Sequence, residues 1–386
     1  MYKLTVMSKY SIFILLSFYL PLIGCSQTSL ESEELATKKR VKQTVFELSD
    51  FLEDNKDLDE KVNLQLKKMS DSALVAQLIM PATGRLGLPK EDVIKFTKKG
   101  IIGGILMLNG TVDEFTTWIK EFEDINKNKG FLPFLYSADA EPSLFNRKIS
   151  GSTMVKKAQE VKTLEEATEV AQLISADLTK IGINYNFAPV VDVSSNATVG
   201  YRGFGAKKEN LIPWSNAFIA ETQKNNIIAT AKHFPGHGLV SGDTHKSLQT
   251  IDGELKELEN YPPLIANGLL SIMIAHIAIQ NNKQYDTKGL PATTSKTIVT
   301  ELLRKKLGFK GLIVTDAMNM GGVSKVPNAS IKAIEAGCDI VLMPLDIEKT
   351  FQGIYTRMKS DKDFRTVVEE AAKRVIRMKI CLGLVN

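Results

Sequence analysis

From about residue 63 onward, short and nearly continuous apolar runs alternate with amphipathic helical stretches. Strands that are buried on both faces have this composition, and their alternation with helices is typical of a parallel sheet covered by helices. About eight such units predict an α/β fold, a (β/α)8 TIM-type barrel, with an open doubly wound sheet as the alternative. The runs are LVAQLIMPA (74–82), which could instead be a helix, IIGGILML (101–108), FLPFLYSAD (131–139), NYNFAPVVDV (184–193), IIATAKHF (227–234), LLSIMIAH (269–276), GLIVTDA (311–317) and DIVLMP (339–344).

The composition suits a globular protein with a large core, because 44% of the 386 residues are hydrophobic. One domain of about 300 residues with an appendage fits, since single α/β barrels commonly reach about 250 residues or more. The formal net charge is +5, and residues of both signs are spread along the chain without a long basic block. This pattern does not favour nucleic acid as a partner.

The beginning of the chain has the pattern of an export signal. The basic segment MYKLTVMSK precedes the apolar run SIFILLSFYLPLIG and Cys25. A basic start, a short apolar stretch and a small residue before the cut predict a secretory signal over residues 1–24. The segment LIGC also resembles a bacterial lipoprotein lipobox, which implies acylation of Cys25 and a lipid anchor in the membrane of the bacterial cell envelope. The alternatives are an uncleaved anchor helix and an ordinary signal peptide.

The next segment, residues 25–62, is rich in Ser, Thr, Glu, Lys and Asp. Such a composition predicts a tether followed by a polar segment, which would hold the catalytic body away from a membrane. The barrel domain itself is expected over residues 63–386.

Polar residues recur where the apolar runs stop, at the carboxyl end of each predicted strand. In a barrel these ends converge on one face, which is where active sites are built. One polar residue at a strand end could simply cap the strand. Charged or imidazole side chains at several strand ends are harder to explain in this way. The sequence therefore predicts a shared site that contains Asp139, Asp192, Lys232, His233, His276 and Asp316.

The stretch KHFPGHGLVSGDTHKSL (232–248) holds three of the four histidines of the chain. His233 and His237 are four residues apart, but the intervening Phe-Pro-Gly makes a helix improbable, and nothing completes a zinc site. No metal or other cofactor is therefore expected. Asp243 and His245 lie two residues apart in a glycine-punctuated loop, where the carboxylate can orient the ring and favour its protonated form.

A second carboxylate, Asp316, closes the apolar run GLIVTDAMNM. An ionisable group beside a core is costly without partners, although a helix N-cap or a buried ion pair would also explain it. The chain has no G-x-S-x-G motif for serine chemistry. Retaining glycoside hydrolysis requires at least a carboxylate nucleophile and a protonated acid, and here the acid would be His245.

These motifs resemble glycoside hydrolase family 3, in its β-N-acetylglucosaminidase (β-hexosaminidase) branch. The resemblance runs from about residue 70 to 385, and the order of the motifs makes it specific. It rests on IGINYNFAPVVDV, NATVGYRGFG, IIATAKHFPGHGLVSGDTH, SIMIAHI, LPATTSKTIVTELLRKKLGFKGLIVTDAM and AIEAGCDIVLMP.

The resemblance implies a role for each matching residue. Asp316 matches the catalytic nucleophile, His245 the mobile-loop general acid/base, and Asp243 the partner of that histidine. The residues that match sugar-binding or pocket-supporting groups are Asp139, Arg147, Arg202, Lys232, His233, His237 and His276.

The chain also departs from the family pattern after Asp139. Pro142-Ser143 stands where the family has Gly-Gly, Leu144 replaces an arginine, and Gly203 stands where serine is usual. The loop after Asp139 is therefore expected to follow a different path. The chain has no room for the second sandwich domain of longer members, which implies that the acid/base comes from the barrel's own loop.

The resemblance implies an enzyme that removes terminal β-linked N-acetylglucosamine with retention of anomeric configuration. Cell-wall fragments and chitooligosaccharides are the implied glycan substrates. Two alternatives stay open: a phosphorylase that uses the same site, and a sugar-binding lipoprotein without catalysis.

Overall fold

The computed structural model describes residues 45–193, 196, 198–205 and 208–385. The predicted signal peptide over residues 1–24, the predicted lipidation site Cys25 and the first part of the predicted tether lie outside these described residues. Within the described ranges, no helix is both long enough and apolar enough to cross a membrane.

Short strands form the centre of the fold, and the apolar runs of the sequence supply those of its main sheet. The strands in the described ranges are β1 (Ile79–Met80), β2 (Ala82–Thr83), β3 (Gly104–Met107), β4 (Gly110–Thr111), β5 (Leu135–Ala138), β6 (Ile149–Ser150), β7 (Tyr185–Asn186), β8 (Ile228–Phe234), β9 (Gln249–Asp252), β10 (Ser271–Ile274), β11 (Ile277–Gln280), β12 (Leu312–Thr315) and β13 (Val341–Leu342). Seven of them form one parallel sheet in the order β12-β10-β8-β7-β5-β3-β2. This parallel half-barrel confirms the predicted α/β class.

Backbone hydrogen bonds connect the two ends of this sheet through β13. On one side the N–H of Thr315 donates to the carbonyl of Ile340 (3.0 Å), and on the other the N–H of Val341 donates to the carbonyl of Leu78 (2.8 Å). β1 and β2 are two parts of one interrupted strand, because the carbonyl of Pro81 between them accepts from Leu106 N–H in β3 (2.8 Å).

Amphipathic helices cover the sheet. α6 shows why: Val170, Ile174 and Leu178, spaced by four residues, are buried on one side of it. Thr163 caps its start and Gly182, at a φ of +96°, ends it, because glycine adopts this backbone conformation without strain. The helices are α1 (Lys56–Lys67), α2 (Asp71–Ala76), α3 (Lys90–Lys99), α4 (Val112–Lys129), α5 (Phe145–Lys148), α6 (Leu164–Ile181), α7 (Lys208–Lys224), α8 (Tyr261–Ala266), α9 (Ala329–Ala336), α10 (Ile347–Ser360) and α11 (Lys362–Cys381), with 3-10 turns at Leu48–Phe51, Ala158–Glu160, Lys256–Asn260 and Ala292–Thr294.

Two segments refine the sequence prediction. The run 74–82 contains both alternatives, because α2 ends at Ala76 and β1 begins at Ile79. The predicted helix TIVTELLRKKLG is helical over Thr297–Lys306, but with the wider π pattern of hydrogen bonds.

The segment 45–62 packs against the body of the fold. Phe51, Leu58 and Val62 are buried in a cluster that includes Leu135 and Tyr185, the first residues of β5 and β7. The segment therefore covers the amino ends of strands in the main sheet, opposite their carboxyl ends. The compact unit spans Val45–Asn386 and so begins before residue 63, because apolar side chains among the polar ones bury themselves here.

A lysine is buried within this framework. Lys379 on α11 is 0% exposed, and its Nζ donates to Gln77 Oε1 (2.7 Å) and to the carbonyl of Gly103 (2.9 Å). Burial lowers the pKa of Lys379 to about 7, although the charge of Glu123 acts to raise it. An unfolded lysine has a pKa of about 10.4.

Lys379→Met should flatten the pH dependence of stability on the alkaline side. Between about pH 7 and 10 the unfolded chain binds a proton that the folded protein does not, so this group's contribution to the free energy of unfolding rises with pH. The measurement is Tm between pH 7 and 9.5 for both proteins, with Lys373→Met, a partly exposed position on the same helix, as the control. Parallel curves for wild type and Lys379→Met would contradict a buried neutral lysine.

Candidate active site

The strand ends bring the predicted site residues to one face of the sheet. Asp139 directly follows β5, His276 follows β10 and Asp316 follows β12, while Lys232 and His233 lie near the carboxyl end of β8. Because all these strands are parallel and neighbouring, their carboxyl ends meet at the same end of the sheet. The structure therefore places these five residues at one end of the half-barrel, as the sequence pattern predicts.

A buried cluster of charges occupies the floor of this site. Lys232 Nζ contacts Asp139 Oδ1 (2.8 Å) and Glu141 Oε1 (2.5 Å). Arg202 makes a two-pronged pair with Glu141, from Nε to Oε2 (2.8 Å) and from Nη2 to Oε1 (2.7 Å). Lys148 Nζ contacts the other oxygen of Asp139, Oδ2, at 2.6 Å. Three cations thus surround two carboxylates.

The pairing keeps the cluster ionised. Burial acts to raise the pKa of Asp139, but Lys148 and Lys232 outweigh it and hold the pKa below its usual range. Burial also opposes ionisation of Glu141, yet Arg202 and Lys232 lower its pKa to about 2. Removing one member of such a buried set leaves an uncompensated charge and lowers the free energy of unfolding by about 3–5 kcal/mol.

A second buried pair orients the histidines of the HFPGHG segment. Asp192 Oδ2 lies 2.7 Å from Nδ1 of His233, and Asp192 Oδ1 accepts the backbone N–H of His237 (2.8 Å). Burial acts to raise the pKa of Asp192, but the two histidines lower it below its ordinary value. Asp192 therefore fixes the ring of His233 and the start of the following loop.

Glu257 supports the same loop from beneath. One of its oxygens accepts the N–H of Val193, and the other accepts the N–H of Gly238 at 2.8 Å. A side chain at Gly238 would collide with the Val193 backbone and with Glu257, so the close approach requires glycine. Burial and the charge of Asp192 raise the pKa of Glu257 to about 8, although backbone N–H groups act in the opposite direction.

Asp243 and His245, the residues predicted to act together, are in contact. Nδ1 of His245 lies 2.7 Å from Asp243 Oδ1, and the same oxygen accepts the backbone N–H of His245 (2.9 Å). Burial acts to raise the pKa of Asp243, but these two contacts with His245 outweigh it, so its pKa is lowered. The His245 side chain is 60% exposed, and among the described residues no hydrogen bond engages Nε2. That nitrogen can therefore exchange a proton with a ligand.

The Asp316 carboxylate is hydrogen-bonded to the backbone of the next residue, and a buried histidine is hydrogen-bonded to that same residue. Asp316 Oδ1 accepts the N–H of Ala317 (2.8 Å), while Nε2 of His276 donates to the carbonyl of Ala317 (3.0 Å). Burial acts to raise the pKa of Asp316, but His233, His276 and the Ala317 N–H lower it below its ordinary value. Nδ1 of His276 lies 2.7 Å from Thr293 Oγ1, so the ring is fixed on both sides. Asp316 is thus a positioned, ionised carboxylate.

His237, a predicted supporting residue, lies behind the acid/base loop. Its Nε2 contacts Thr244 Oγ1 at 2.8 Å, and both side chains are buried. Thr244 stands between Asp243 and His245, so this contact anchors the buried residue between them, while His245 itself stays exposed.

Arg147 is a predicted sugar-binding residue for which no contact with the charge cluster is found among the described residues. It is exposed, and Lys148, the next residue, contacts Asp139 instead. Sequence reasoning missed Lys148 and also Glu141, the partner of Arg202 and Lys232. The signal for Glu141 was present, since it stands two residues after Asp139 in the segment DAEPS.

Comparison with known proteins places the chain in a family. The model of the glycosyl hydrolase family 3 N terminal domain matches residues 69–378. The chain belongs to glycosyl hydrolase family 3.

Several relatives carry the name of a hexosaminidase. Beta-hexosaminidase A of Pseudoalteromonas piscicida is 36% identical over 200 residues, which are 47% of this chain and 33% of that protein. The beta-hexosaminidase of Haemophilus influenzae is 32% identical over 280 residues, which are 68% of this chain and 78% of the relative. The crystal structure of beta-N-acetylhexosaminidase from Beutenbergia cavernae superposes with a TM-score of 0.72 at 27% identity, covering 80% of this chain and 98% of that one. The chain thus spans about a third of the length of the first of these relatives.

Proposed function

We propose that the protein is a retaining exo-β-N-acetylglucosaminidase that forms a covalent glycosyl-enzyme on Asp316. The observation that carries this proposal is that the site contains two suitable groups. One is an ionised carboxylate at a strand end, and the other is His245, a histidine oriented by a carboxylate in the loop that follows β8. We also interpret the half-barrel, together with the β1–β13 pair, as the (β/α)8 barrel of the family.

The mechanism has two chemical steps, and the contacts described above suit the groups that act in each of them. Asp316 attacks the anomeric carbon while protonated His245 gives its Nε2 proton to the departing glycosidic oxygen. The neutral imidazole then takes a proton from water, whose oxygen attacks the same carbon and releases Asp316. Asp243 holds the ring through Nδ1 and stabilises its charged form during the first step.

The charge cluster supports recognition of a sugar. Lys232, Arg202 and Asp139 keep fixed positions through their mutual contacts, and their remaining hydrogen-bonding capacity suits the hydroxyl groups of a terminal pyranose. The names of the relatives support N-acetylglucosamine as that sugar. We infer cell-wall fragments or chitooligosaccharides as substrates, and an exported enzyme held in the bacterial envelope by a lipid on Cys25.

A phosphorylase is the second candidate, favoured by one feature of the site. The base is an imidazole rather than a carboxylate, so it does not repel an anionic acceptor once it is neutral. Such an enzyme would release N-acetylglucosamine 1-phosphate in phosphate buffer.

The deciding experiment is product analysis with 4-nitrophenyl N-acetyl-β-glucosaminide, with and without phosphate. We expect free N-acetylglucosamine in both buffers, with the β-anomer formed first in the NMR spectrum. The sugar phosphate would establish the second candidate, and the α-anomer would exclude a covalent intermediate on Asp316. Binding of N-acetylglucosamine without any turnover would instead favour a sugar-binding lipoprotein.

Lys148→Met should lower kcat/KM for this substrate by about 10- to 100-fold, whereas Arg147→Met should leave it within about twofold. The difference follows from the contact of Lys148 with Asp139 and the exposure of Arg147, since a hydrogen bond to a charged group contributes about 1.5–3 kcal/mol. Lys148→Arg keeps the charge and should recover part of the loss. A larger effect at Arg147 than at Lys148 would show that the resemblance to the family motif, not this geometry, identifies the binding cation.

A further inference from the structure

The loop that carries the acid/base is bonded to the turn that follows the nucleophile. This acid/base loop, residues 235–248, accepts two backbone hydrogen bonds from the Gly321–Gly322 turn. The N–H of Gly321 donates to the carbonyl of His245 (2.9 Å), and the N–H of Gly322 donates to the carbonyl of Thr244 (2.9 Å). The turn begins only five residues after Asp316, so these bonds connect the proton donor to the nucleophile through the backbone.

Close approach makes glycine necessary in this turn. A Cβ on Gly321 would lie 2.2 Å from the carbonyl oxygen of Lys246, which is backbone and has no freedom to rotate away. A Cβ on Gly322 would lie 3.0 Å from both Cβ and the carbonyl oxygen of His276. The turn therefore fits against the acid/base loop only because its residues have no side chains.

The rest of the loop is held by contacts that do not involve this turn. At its start, Gly238 N–H donates to Glu257. In its middle, the buried Thr244 hydroxyl contacts His237. At its end, β9 pairs in parallel with β11, the strand that begins immediately after His276. Loss of the bond at Gly321 would thus release the His245 segment while the ends of the loop stay attached.

Packing offers little else to fix this segment. His245 and Lys246 are exposed, and Thr244 is the buried residue between Asp243 and His245. The position of the imidazole relative to Asp316 therefore depends on backbone bonds more than on side-chain burial.

We propose that the Gly321–Gly322 turn is the docking element that sets the acid/base loop at the distance from Asp316 that proton transfer requires. The two glycines are positioning residues, because they touch the loop rather than the substrate. This inference rests on the proposed function of His245 as the acid. It predicts that a substitution in the turn damages proton donation more than it damages binding or nucleophilic attack.

The test compares leaving groups in Gly321→Ala. With chitobiose, whose departing sugar needs a proton, we expect kcat/KM to fall by about 10- to 100-fold, part of the 10²–10⁴-fold that a general acid typically supplies. With 2,4-dinitrophenyl N-acetyl-β-glucosaminide, whose departing phenolate needs none, the loss should stay within about threefold. Retained turnover of the activated substrate also shows that the variant is folded.

The matched control is Gly353→Ala on α10, where the added Cβ meets only the flexible end of the Ile331 side chain. It should behave as wild type on both substrates. Equal losses on both substrates in Gly321→Ala, or no loss on either, would overturn the docking role.

A second measurement separates this inference from the proposed function. Hydrogen exchange of the full-length chain should show the amides of Gly321 and Gly322 protected in the wild type, with faster exchange across residues 241–248 in Gly321→Ala. Unprotected amides would overturn the docking element whatever the activity. An inactive wild type with protected amides would instead contradict the proposed function and leave the docking contact established.

Discussion

Asp316→Asn is expected to reduce turnover of 4-nitrophenyl N-acetyl-β-glucosaminide by more than about a thousand-fold, since loss of a catalytic nucleophile in well-studied enzymes costs even more. The amide keeps an oxygen that can accept the Ala317 N–H, so the local backbone should be preserved. The variant loses the negative charge that His233 and His276 stabilise, and with it the ability to form a glycosyl ester. The measurement is the steady-state kcat of purified variant and wild type.

The smaller variant Asp316→Gly gives a sharper version of this test. Azide can enter the space that the carboxylate vacates and attack the anomeric carbon directly. The product should then be the α-glycosyl azide, because a single displacement inverts the configuration that two displacements retain. Asp286→Asn, on a partly exposed loop where the carboxylate accepts the backbone N–H of Lys288 (2.7 Å), is the control and should retain wild-type turnover. Full activity in Asp316→Asn would remove the nucleophile from the mechanism.

His245→Ala is expected to have the second largest effect, and that effect should depend on the leaving group. Hydrolysis of chitobiose should fall by about 10²–10⁴-fold, the range of general acid/base catalysis. Formation of the glycosyl-enzyme from the 2,4-dinitrophenyl glycoside should change far less, because that leaving group departs without a proton. Single-turnover measurements isolate this first step, since the same variant also lacks the base for the second.

Asp243→Asn provides the matched comparison, because it keeps the side-chain size but removes the charge that orients the His245 ring. It should show the same dependence on leaving group with a smaller loss. Equal slowing of both substrates in His245→Ala would mean that the histidine binds sugar rather than donating a proton.

Sequence alone could place the strands and the strand-end residues, because both follow from local pattern. Strands buried on both faces require continuous apolar runs, and polar residues at their carboxyl ends necessarily share one face. Which side chains of the short helix α5 face the site was not predictable in this way. Leu144 and Phe145 are buried and set its orientation, so that Lys148, three residues after Phe145, faces the site while Arg147 faces outward.

Contacts between distant segments also escaped prediction. Glu257 meets Val193 across 64 residues of chain, and nothing near either position indicates the other. The composition of residues 25–62 predicted a tether followed by a polar segment, and it did not indicate that residues within 45–62 pack against the fold. Leu58 and Val62, four residues apart on α1, are nonetheless buried, and Arg377 donates from Nε to the carbonyl of Phe51 (2.8 Å). A few apolar residues at helical spacing outweighed the average composition.

The packing of residues 45–62 determines at which end of the sheet the described chain begins. The chain joins the folded body at Val45, beside the amino ends of the strands, whereas Asp316 and Lys232 lie at the carboxyl ends. The described part of the chain therefore begins at the end of the sheet opposite these two side chains. Coupling to a solid support through the exposed Val45 should therefore leave the carboxyl ends of the strands open to large glycans, whereas coupling through the exposed Tyr201 or Leu239 should obstruct them.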